Sequence, residues 1–295
     1  MAGEVGPDGP VTIAGSGSRG GGVAGVRCVA APSGIDWIQA DEMVVQCGAG
    51  TPVAELAAAL CDGGQRVVLP DGGTVGGALA VGHSGIRRLG DGPMRDALLQ
   101  ARYVGADGSV VKAGGPTVKN VSGFDVCRLL VGSRGTLGFL GEVILRTRPI
   151  AQHSQWFTVD ADDPTPTFAT LFRPVSVLWD GAAVWALLEG HPDDVHEQAA
   201  AASMRPADAP PSIPTGARVL IEPSSLATLG SLRGLPDRAA FVAEVGVGVV
   251  HVDDESAIPR AARLPASGPA VVALRDRIKH EFDPTGRLNP GVVVG

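Results

Sequence analysis

Three glycines at three-residue spacing constrain the fold of this chain more than any other feature of its sequence. Gly132, Gly135 and Gly138 lie between an amphipathic segment and a β-branched run, residues 143–147, which predicts a strand. Glycine permits positive φ angles and lets a backbone approach a ligand closely. Lys119 and Arg128 stand nearby in the sequence, as the binding of a polyanionic ligand requires. We therefore predict a site where main-chain amides meet a phosphorylated or planar cofactor.

A second glycine-rich segment, GSGSRGGG at residues 15–22, follows a predicted strand near the amino terminus. Successive amides without bulky side chains can converge on phosphate oxygens, and the two serines add further donors. Alone this segment is a weak signal, because runs of Gly and Ser are more often simple flexible loops. Together with the glycines at 132–138 it predicts an anion-binding loop.

The sequence Gly48-Ala49-Gly50 also follows a predicted strand and invites comparison with a dinucleotide-binding turn. The third glycine of that motif is missing, because Val53 stands there, and no acidic residue ends a second strand at the required spacing. Thr51 is the expected N-cap of the helix that follows. We interpret these residues as a plain turn between a strand and a helix.

Composition excludes several classes of protein. The chain has 295 residues, 44% of them hydrophobic, which is ample for a core, and no apolar run is long enough to span a bilayer. The amino terminus, MAGEVGPDGP, lacks the basic and apolar regions of a signal peptide. A net charge of −7 argues against nucleic acid as the main partner. Four cysteines without CxxC spacing predict reduced thiols and no zinc or iron–sulfur ligation.

The run KNVSGFDVCRLLVGSRGTLG, residues 119–138, resembles the segment that closes the FAD-binding domain in PCMH-type flavoproteins, the vanillyl-alcohol oxidase family. Within that family it is most similar to the E subunits of bacterial glycolate oxidase. The resemblance covers about residues 11–149 and resumes at DPTGRLNPG, residues 283–291. It implies an α+β fold with a two-lobed PCMH-type FAD-binding domain in residues 1–150. A small α+β cap domain in 151–265 and a tail in 266–295 that returns to the FAD domain complete the expected organisation.

The resemblance also implies which residues bind FAD. Residues 15–22 occupy the place of the family's pyrophosphate loop, and residues 72–96 resemble its second flavin loop. Relatives that attach FAD covalently carry a histidine where Ser18 stands, so the resemblance implies non-covalent FAD. The expected cofactor-binding residues are Gly15, Ser16, Gly17, Ser18, Arg19, Gly76, Gly77, Gly82, Gly85, Lys119, Asn120, Gly123, Gly132, Ser133, Gly135, Gly138, Leu140 and Asn289.

No residue is assigned a catalytic role from the sequence. Relatives that oxidise α-hydroxyacids carry an H-x-G-D-G-N-x-H motif in the second domain, whereas the nearest stretch here, GVGVVHVDD, has a single histidine. His83 and Arg88 are candidates, but a loop histidine with a backbone partner and an arginine that braces the loop are the preferred interpretations. Asp125 and Arg128, three apart on a predicted helix, are interpreted as a structural ion pair. The histidines expected at the surface are His153, His191, His196, His251 and His280.

The E subunits of glycolate oxidase lack the same catalytic motif, which favours a subunit over a complete enzyme. The expected function is therefore that of an FAD-binding subunit of a glycolate or other 2-hydroxyacid oxidase or dehydrogenase complex. The implied partners are a D-type flavoprotein subunit and an iron–sulfur subunit, with no metal site in this chain. We expect a cytoplasmic location, with membrane association only through partner subunits. A stand-alone FAD oxidoreductase and a non-catalytic scaffold that holds FAD weakly or not at all remain alternatives.

Overall fold

The computed structural model describes residues 1–116, 124–222 and 241–293 of the chain. These residues form two compact units. The first unit comprises Met1–Gly85, Pro93–Ile150 and Ser267–Gly295, and the second comprises Ile86–Gly92 and Ala151–Ala266. The short segment Ile86–Gly92, which the sequence places in the first domain, therefore packs with the second unit. The α+β class predicted from the sequence is confirmed.

The described helices are short except for the last. The α-helices are α1 (Ala2–Val5), α2 (Val53–Cys61), α3 (Val75–Val81), α4 (Arg88–Asp91), α5 (Val126–Leu130), α6 (Thr165–Thr170), α7 (Pro192–Ala201) and α8 (Pro269–Phe282). Single turns of 3₁₀-helix lie at Met94–Asp96, Glu255–Ala257 and Arg260–Ala262. Within the described ranges, no helix combines the length and the apolar character that crossing a bilayer demands.

The strands divide between the two units at the end of β8. The first unit holds β1 (Val11–Ile13), β2 (Arg27–Val29), β3 (Ile35–Gln39), β4 (Val44–Gly48), β5 (Gln65–Val67), β6 (Leu98–Val104), β7 (Val110–Gly114) and β8 (Phe139–Pro149). The second unit holds β9 (His153–Asp160), β10 (Ser176–Trp179), β11 (Ala183–Gly190), β12 (Arg205–Ala207), β13 (Ala217–Leu220), β14 (Phe241–Glu244) and β15 (Val249–Val252).

Two sheets build the first unit. An antiparallel sheet has the order β3-β4-β8-β6-β7, with β5 paired to one end of β8. Helix α2 packs on it through Val53, Leu56 and Leu60, whose spacing places them on one helical face. A smaller sheet pairs β1 and β2 in parallel and has its own core, which includes Val11 and Phe139. The unit thus has two lobes, each with a separate hydrophobic core.

Local signals in the sequence predict most of these elements. The sequence predicts a strand at residues 43–47, a helix from 53 that ends at Gly63-Gly64, a short helix around 76–81 and a hairpin of residues 102–104 and 110–112. The structure has β4, α2, α3 and the hairpin of β6 and β7 at these places. The N-cap prediction is wrong, because Pro52 occupies the cap position. The Thr51 hydroxyl instead accepts a hydrogen bond from the Gly34 amide (2.9 Å) and donates one to the Gly34 carbonyl (3.0 Å). Thr51 therefore fixes the loop before β3, and no side chain caps α2.

The carboxyl-terminal segment returns to the first unit through a buried carboxylate. Asp283, which ends α8, is 2% exposed. It accepts hydrogen bonds from the amides of Arg287 (3.0 Å) and Leu288 (2.8 Å) and from the ammonium group of Lys279. Burial by itself raises the pKa of Asp283, but these donors outweigh it and hold the pKa below its ordinary value. The ionised carboxylate therefore fixes the turn that follows α8.

Arg287 fastens the same turn to the amino terminus. Its guanidinium, 5% exposed, donates to the carbonyls of Gly6 and Gly9 (2.7 Å each) and of Val5 and Asp8 (2.8 Å each). A fifth carbonyl, that of residue 106 in the turn between β6 and β7, accepts at 2.5 Å. One buried cation thus satisfies carbonyls from two distant parts of the chain, as buried polar groups require.

The second unit is built on one antiparallel sheet of seven strands in the order β12-β9-β11-β10-β14-β15-β13. Residues 241–253, which the sequence predicts to complete a β-α-β-β-α-β-like set, form the hairpin of β14 and β15. One face of the sheet carries Phe157, Trp179, Val184 and Val250 in a core that also includes residues of α7. The helix predicted at residues 224–232 lies outside the described residues.

We expect Asp283→Asn to lower the free energy of unfolding by roughly 3 kcal/mol at pH 7, because it leaves Lys279 without its carboxylate. Because the pKa of Asp283 is lower in the folded protein than in the unfolded chain, the ionised carboxylate stabilises the fold at pH values above its unfolded-state pKa of about 3.9. This stabilisation is lost as the pH falls through the pKa of the folded state. The difference between wild type and variant should therefore be constant from about pH 8 to 5 and shrink below about pH 4. Urea denaturation across this range measures it.

Asp276→Asn is the matched control, because Asp276 is exposed on the same helix. It should change the stability by less than about 0.5 kcal/mol. Equal stability of the Asp283 and Asp276 variants at pH 7 would contradict the role assigned to the buried carboxylate.

Candidate functional site: a cavity lined by main chain

The first unit contains a cavity of about 410 Å³. This volume lies within the range of sites that hold small molecules and cofactors. Five segments line it: residues 12–23, the pair Ala30–Ala31, residues 49–50, residues of 74–81 and residues of 130–140, and Asn289 and Val292 of the tail complete the wall. Most of these residues are Gly, Ala, Ser or Val, so backbone atoms form much of the surface.

The loop at residues 15–22 curves around one end of this cavity through four positive φ angles. They are +74° at Gly17, +79° at Gly20, +130° at Gly21 and +53° at Gly22. Such a backbone turns successive amides toward a common point, as in loops that bind phosphate. A Cβ placed on Gly17 would meet no protein atom within 4 Å. The space beside Gly17 is therefore open to a ligand.

Arg19 holds this loop in place and is not a free cation at the cavity. Its guanidinium donates to the carbonyls of Gly72 (2.7 Å), Asp71 (2.6 Å) and Pro70 (3.1 Å). These carbonyls belong to the segment that leads into α3. Arg19 thus joins the two loops that the resemblance assigns to FAD, and its charge compensates the dipoles of three carbonyl groups.

The start of α3 forms a second wall of the cavity, and its backbone lies close to the backbone of residues 48–50. The hydroxyl of Thr74, the N-cap, accepts a hydrogen bond from the Gly77 amide at 3.1 Å. The Gly76 amide donates to the Ala49 carbonyl at 2.7 Å, and a Cβ on Gly76 would lie only 2.9 Å from that oxygen. Glycine is therefore required here so that α3 can approach the strand-to-helix turn at residues 48–50.

Asn289 joins the glycine turn at 132–138 to β1. Its side-chain oxygen accepts from the Thr12 hydroxyl (2.7 Å) and the Ile13 amide (3.2 Å), and its side-chain nitrogen donates to the Arg134 carbonyl (2.6 Å). Asn289 is 7% exposed, so these hydrogen bonds are mostly sheltered from water. Asn289 therefore lines the cavity and also stabilises the glycine turn, and its contact with FAD stays a prediction.

Arg134 supplies a positive charge at the cavity that sequence reasoning missed. It lines the cavity, is exposed, and adopts a φ of +53° between two glycines of the turn. A non-glycine residue rarely adopts this conformation, and such strain clusters at ligand sites. No side-chain hydrogen bond or ion pair ties it to the described residues. Its guanidinium can therefore balance the charge of an anionic ligand.

Twelve of the predicted FAD-binding residues line the cavity. They are Gly15, Ser16, Gly17, Ser18, Arg19, Gly76, Gly77, Ser133, Gly135, Gly138, Leu140 and Asn289. Their contact with FAD stays a prediction. Lys119, Asn120 and Gly123 lie outside the described residues.

Three predicted residues do not line the cavity, and packing explains two of them. Gly82 ends α3 with a φ of +73°, and a Cβ on it would lie 2.8 Å from the Cα of Gly132. These two glycines thus pack backbone against backbone and face each other. Gly85 is not part of the cavity wall, and a Cβ on it would have Pro70 as its nearest neighbour, at 3.9 Å.

The turn at residues 48–50 is a wall of the cavity as well as a link between β4 and α2. Ala49 and Gly50 line the cavity together with Ala30 and Ala31. A Cβ on Gly48 would lie 2.2 Å from the Pro32 carbonyl oxygen. Small residues here therefore permit two segments to pack closely. Single alanines carry no sequence signal, which is why Ala30 and Ala31 were missed.

The catalytic candidates do not meet at this cavity. His83 is exposed and does not line it. Arg87 contacts Asp91 (3.1 Å) and Glu189 (2.8 Å) and so braces the loop, and the bracing role of Arg88 stays a prediction. Asp125 and Arg128 form an exposed ion pair at 3.1 Å, as the structural interpretation predicts.

The surface role predicted for His251 is wrong. Its ring nitrogen Nε2 lies 2.8 Å from a carboxylate oxygen of Glu244, and its side chain is only 16% exposed. Glu244 itself is almost fully buried. The two residues are on neighbouring strands of the β14–β15 hairpin, so register brings together side chains that the sequence presents as unrelated.

The cavity fits an extended anionic cofactor with a planar end. Its glycines leave main-chain amides accessible, and the Oγ atoms of Ser16 and Ser18 lie 3.1 Å apart. Arg134 adds a positive charge, and much of the remaining lining is apolar. Within the parts of the chain that the structure describes, no group of three or more His, Cys, Asp or Glu residues could hold a metal ion. The chemistry of the donors thus matches a flavin dinucleotide better than a metal centre.

Comparison with known proteins gives the same result. Residues 7–114 match the family described as FAD binding domain. Glycolate oxidase subunit GlcE of Escherichia coli is 36% identical over 152 residues, which cover 48% of this chain and 43% of that protein. D-lactate dehydrogenase of Archaeoglobus fulgidus is 38% identical over 115 residues, 38% of this chain and 26% of the relative. The matches thus span less than half the length of these curated relatives.

The fold extends the likeness beyond the matched residues. A solved structure of alkyldihydroxyacetonephosphate synthase superposes with a TM-score of 0.70 over 96% of this chain and 73% of its own, at 14% sequence identity. The fold of the described residues is thus of the PCMH type. Residues 7–114 are similar to FAD binding domains, and FAD is the cofactor that this match indicates.

Gly17→Val should lower the FAD content of the purified protein, because Gly17 lines the cavity with a φ of +74°. The strain corresponds to about 1–3 kcal/mol, and the side chain also fills space beside the ligand. Gly25→Val is the matched control, since Gly25 has the same φ of +74°, an equally open Cβ position, and no place in the cavity lining. Flavin absorbance per protein measures the effect. Equal flavin loss in both variants would show that residues 15–22 are an ordinary loop.

Acid or heat denaturation should release all the flavin into the supernatant. Ser18 lines the cavity, and the resemblance places the linking histidine of covalently flavinylated relatives at this position, where a serine hydroxyl does not form that linkage. The flavin absorbance of supernatant and pellet is a direct assay of the partition. Yellow colour that remains with the precipitate would contradict a non-covalent site.

Proposed function

We propose that this chain is the FAD-binding subunit of a complex that oxidises glycolate or a related 2-hydroxyacid. The observation that carries the proposal is the cavity lined by main chain in the first unit, together with the similarity to glycolate oxidase subunit GlcE. A second similarity, to glycolate oxidase subunit GlcD of Bacillus subtilis, is 40% identity over 76 residues. From the resemblance to the E subunits of glycolate oxidase we propose a D-type flavoprotein subunit and an iron–sulfur subunit as partners.

The chain's own residues have three tasks in this proposal. The amides of residues 15–22 and the Arg134 guanidinium hold the diphosphate, and the small residues at 49–50 and 76–77 admit the flavin at close range. Asn289 keeps β1 and the glycine turn at fixed separation, so the site is preorganised. When bound, FAD supplies the chemistry of hydride acceptance and onward electron transfer.

A stand-alone FAD-dependent oxidoreductase is the second candidate. The similarity to D-lactate dehydrogenases favours it. Against it stands the absence from residues 151–265 of a paired-histidine motif of the H-x-G-D-G-N-x-H type. Oxidation requires a base for the hydroxyl proton and a cation for the carboxylate, and neither His83 nor Arg88 lies at the cavity.

We propose a cytoplasmic location, with membrane association only through partner subunits.

Rapid mixing of the isolated, FAD-loaded chain with glycolate or D-lactate should leave the flavin oxidised. Addition of a D-type subunit should restore substrate-dependent reduction of a dye. The physical reason is that the described part of the first unit offers backbone contacts to the flavin and no base at the cavity. Stopped-flow absorbance of the flavin gives the rate of reduction.

The same experiment separates the two candidates. Fast bleaching by the isolated chain, abolished by His83→Ala, would make the chain an enzyme in its own right. A purified protein without any flavin would instead favour the scaffold alternative. His280→Ala is the control for effects of removing any imidazole ring, because His280 is an exposed histidine of α8.

A further inference from the structure

Two histidines of the second unit lie with their imidazole rings side by side. His153 is the first residue of β9, and His196 is in the second turn of α7. The centroids of the two rings are 5.3 Å apart, and the ring planes are tilted by 37°. His196 is exposed and His153 is partly exposed, so water and small ions can reach both rings.

Strand pairing and helix packing explain why the two rings meet. β9 pairs with β11 so that His153 is opposite Gly190, the last residue of β11. Because Gly190 has no side chain, the position beside His153 is left to α7, which begins at Pro192. Phe157, four residues after His153 on the same face of β9, contacts the ring of His196 edge-on at a centroid distance of 6.1 Å. The packing of α7 on this face therefore fixes the position of His196 beside His153.

Hydrogen bonds define which nitrogen of each ring carries the proton. Nδ1 of His196 lies 2.8 Å from the carbonyl oxygen of Pro192, and Nε2 of His153 lies 3.2 Å from the side-chain oxygen of Gln155. Both oxygens can only accept a hydrogen bond, so each of these nitrogens donates an N–H group. A neutral imidazole has one donor and one acceptor nitrogen. The lone pairs are therefore on Nε2 of His196 and Nδ1 of His153.

Metal-binding histidines are held in this same way. A histidine ligand donates the N–H of its second ring nitrogen to a carbonyl, a carboxylate or water, which fixes the ring and its tautomer. Two imidazoles on one tetrahedral zinc ion, with Zn–N bonds of about 2.0–2.1 Å, have their ring centroids about 5 Å apart. The spacing of His153 and His196 matches this value.

Acidic side chains on the helix of His196 favour a cation. Asp193, Asp194 and Glu197 of α7 are all exposed, and the whole chain has a net charge of −7. Imidazole nitrogens suit Zn²⁺, Ni²⁺ and Cu²⁺, whereas Mg²⁺ prefers oxygen ligands. The ligand atoms therefore select a transition metal, and the surrounding charge attracts it.

We propose that His153 and His196 form a binding site for one divalent transition-metal ion, with Zn²⁺ as the reference ion. The described residues contain no cluster of three or more His, Cys, Asp or Glu that could hold a metal, so water molecules fill the remaining coordination positions. The bound ion joins α7 to β9 and thereby stabilises the second unit. The site goes beyond the proposed function and does not rest on it, because neither histidine lines the flavin cavity. The expectation of no metal site considers only motifs in the sequence, and packing assembles this pair without one.

Calorimetric titration of the full FAD-loaded chain, produced without a histidine tag and freed of metal by a chelator, tests the proposal. Zn²⁺ should bind at one ion per chain and raise the melting temperature, whereas Mg²⁺ should do neither. His153→Ala and His196→Ala should each weaken Zn²⁺ binding by at least about tenfold. Gln155→Leu keeps both imidazoles but removes the oxygen that orients His153, so it should also weaken binding by about tenfold.

His191→Asn is the matched control. His191 is exposed and caps the same helix, where its side chain accepts a hydrogen bond from the amide of Asp193. Asparagine keeps an acceptor at this position, so the variant removes an exposed ring and leaves the cap. It should bind Zn²⁺ as tightly as the wild type. Alkylation of the exposed thiols of Cys28 and Cys61 should also leave the affinity unchanged, which separates this site from cysteine ligation.

Three results would overturn the proposal. The first is the absence of Zn²⁺ binding by a folded, FAD-loaded chain even at high ion concentration. The second is Zn²⁺ binding that survives His196→Ala, a substitution at an exposed position that should leave the fold intact even where His153→Ala does not. The third is binding that disappears after alkylation of the thiols or that Mg²⁺ reproduces, because the ligands would then be cysteines or carboxylates.

Discussion

The side-chain amide of Asn289 is the interaction on which the flavin cavity depends. It connects two walls of the cavity: β1, through Thr12 and Ile13, and the glycine turn, through Arg134. An amide can accept and donate at once, so a single residue sets both the distance and the orientation of these walls. Asp283 and Arg287 then hold Asn289 in position by fixing the turn that precedes it. The shape of the cavity therefore depends on the turn at residues 283–288.

The two units use their backbones differently. In the first, main-chain amides and missing Cβ atoms shape the cavity, so the sequence shows small residues and few charges. In the second, the backbone is used in strand pairing, and polar side chains such as those of Glu244 and His251 lie on one face of the sheet. A backbone site tolerates substitution poorly, because any Cβ changes its shape.

Local sequence signals sufficed for much of the fold and less of the site. Glycine turns, β-branched runs and a helix with apolar residues at 53, 56 and 60 predict their own elements, since the information lies within a few residues. The role of Thr51 was mispredicted because its hydroxyl meets Gly34, a partner 17 residues away. The pairing of His251 with Glu244 depends on strand register, and the place of Ala30 in the cavity depends on packing between segments. Contacts of this kind have no local signature.

The link between Thr12 and Asn289 joins residues 277 positions apart in the chain. Since translation adds residues in order, β1 and the loop at 15–22 leave the ribosome long before the residue that fixes them has been made. The second unit, which is contiguous except for Ile86–Gly92, is synthesised in between. The walls of the cofactor site are thus joined only after the second unit has been made. A ribosome that stalls within the second unit leaves β1 and the glycine turn without the side chain that connects them.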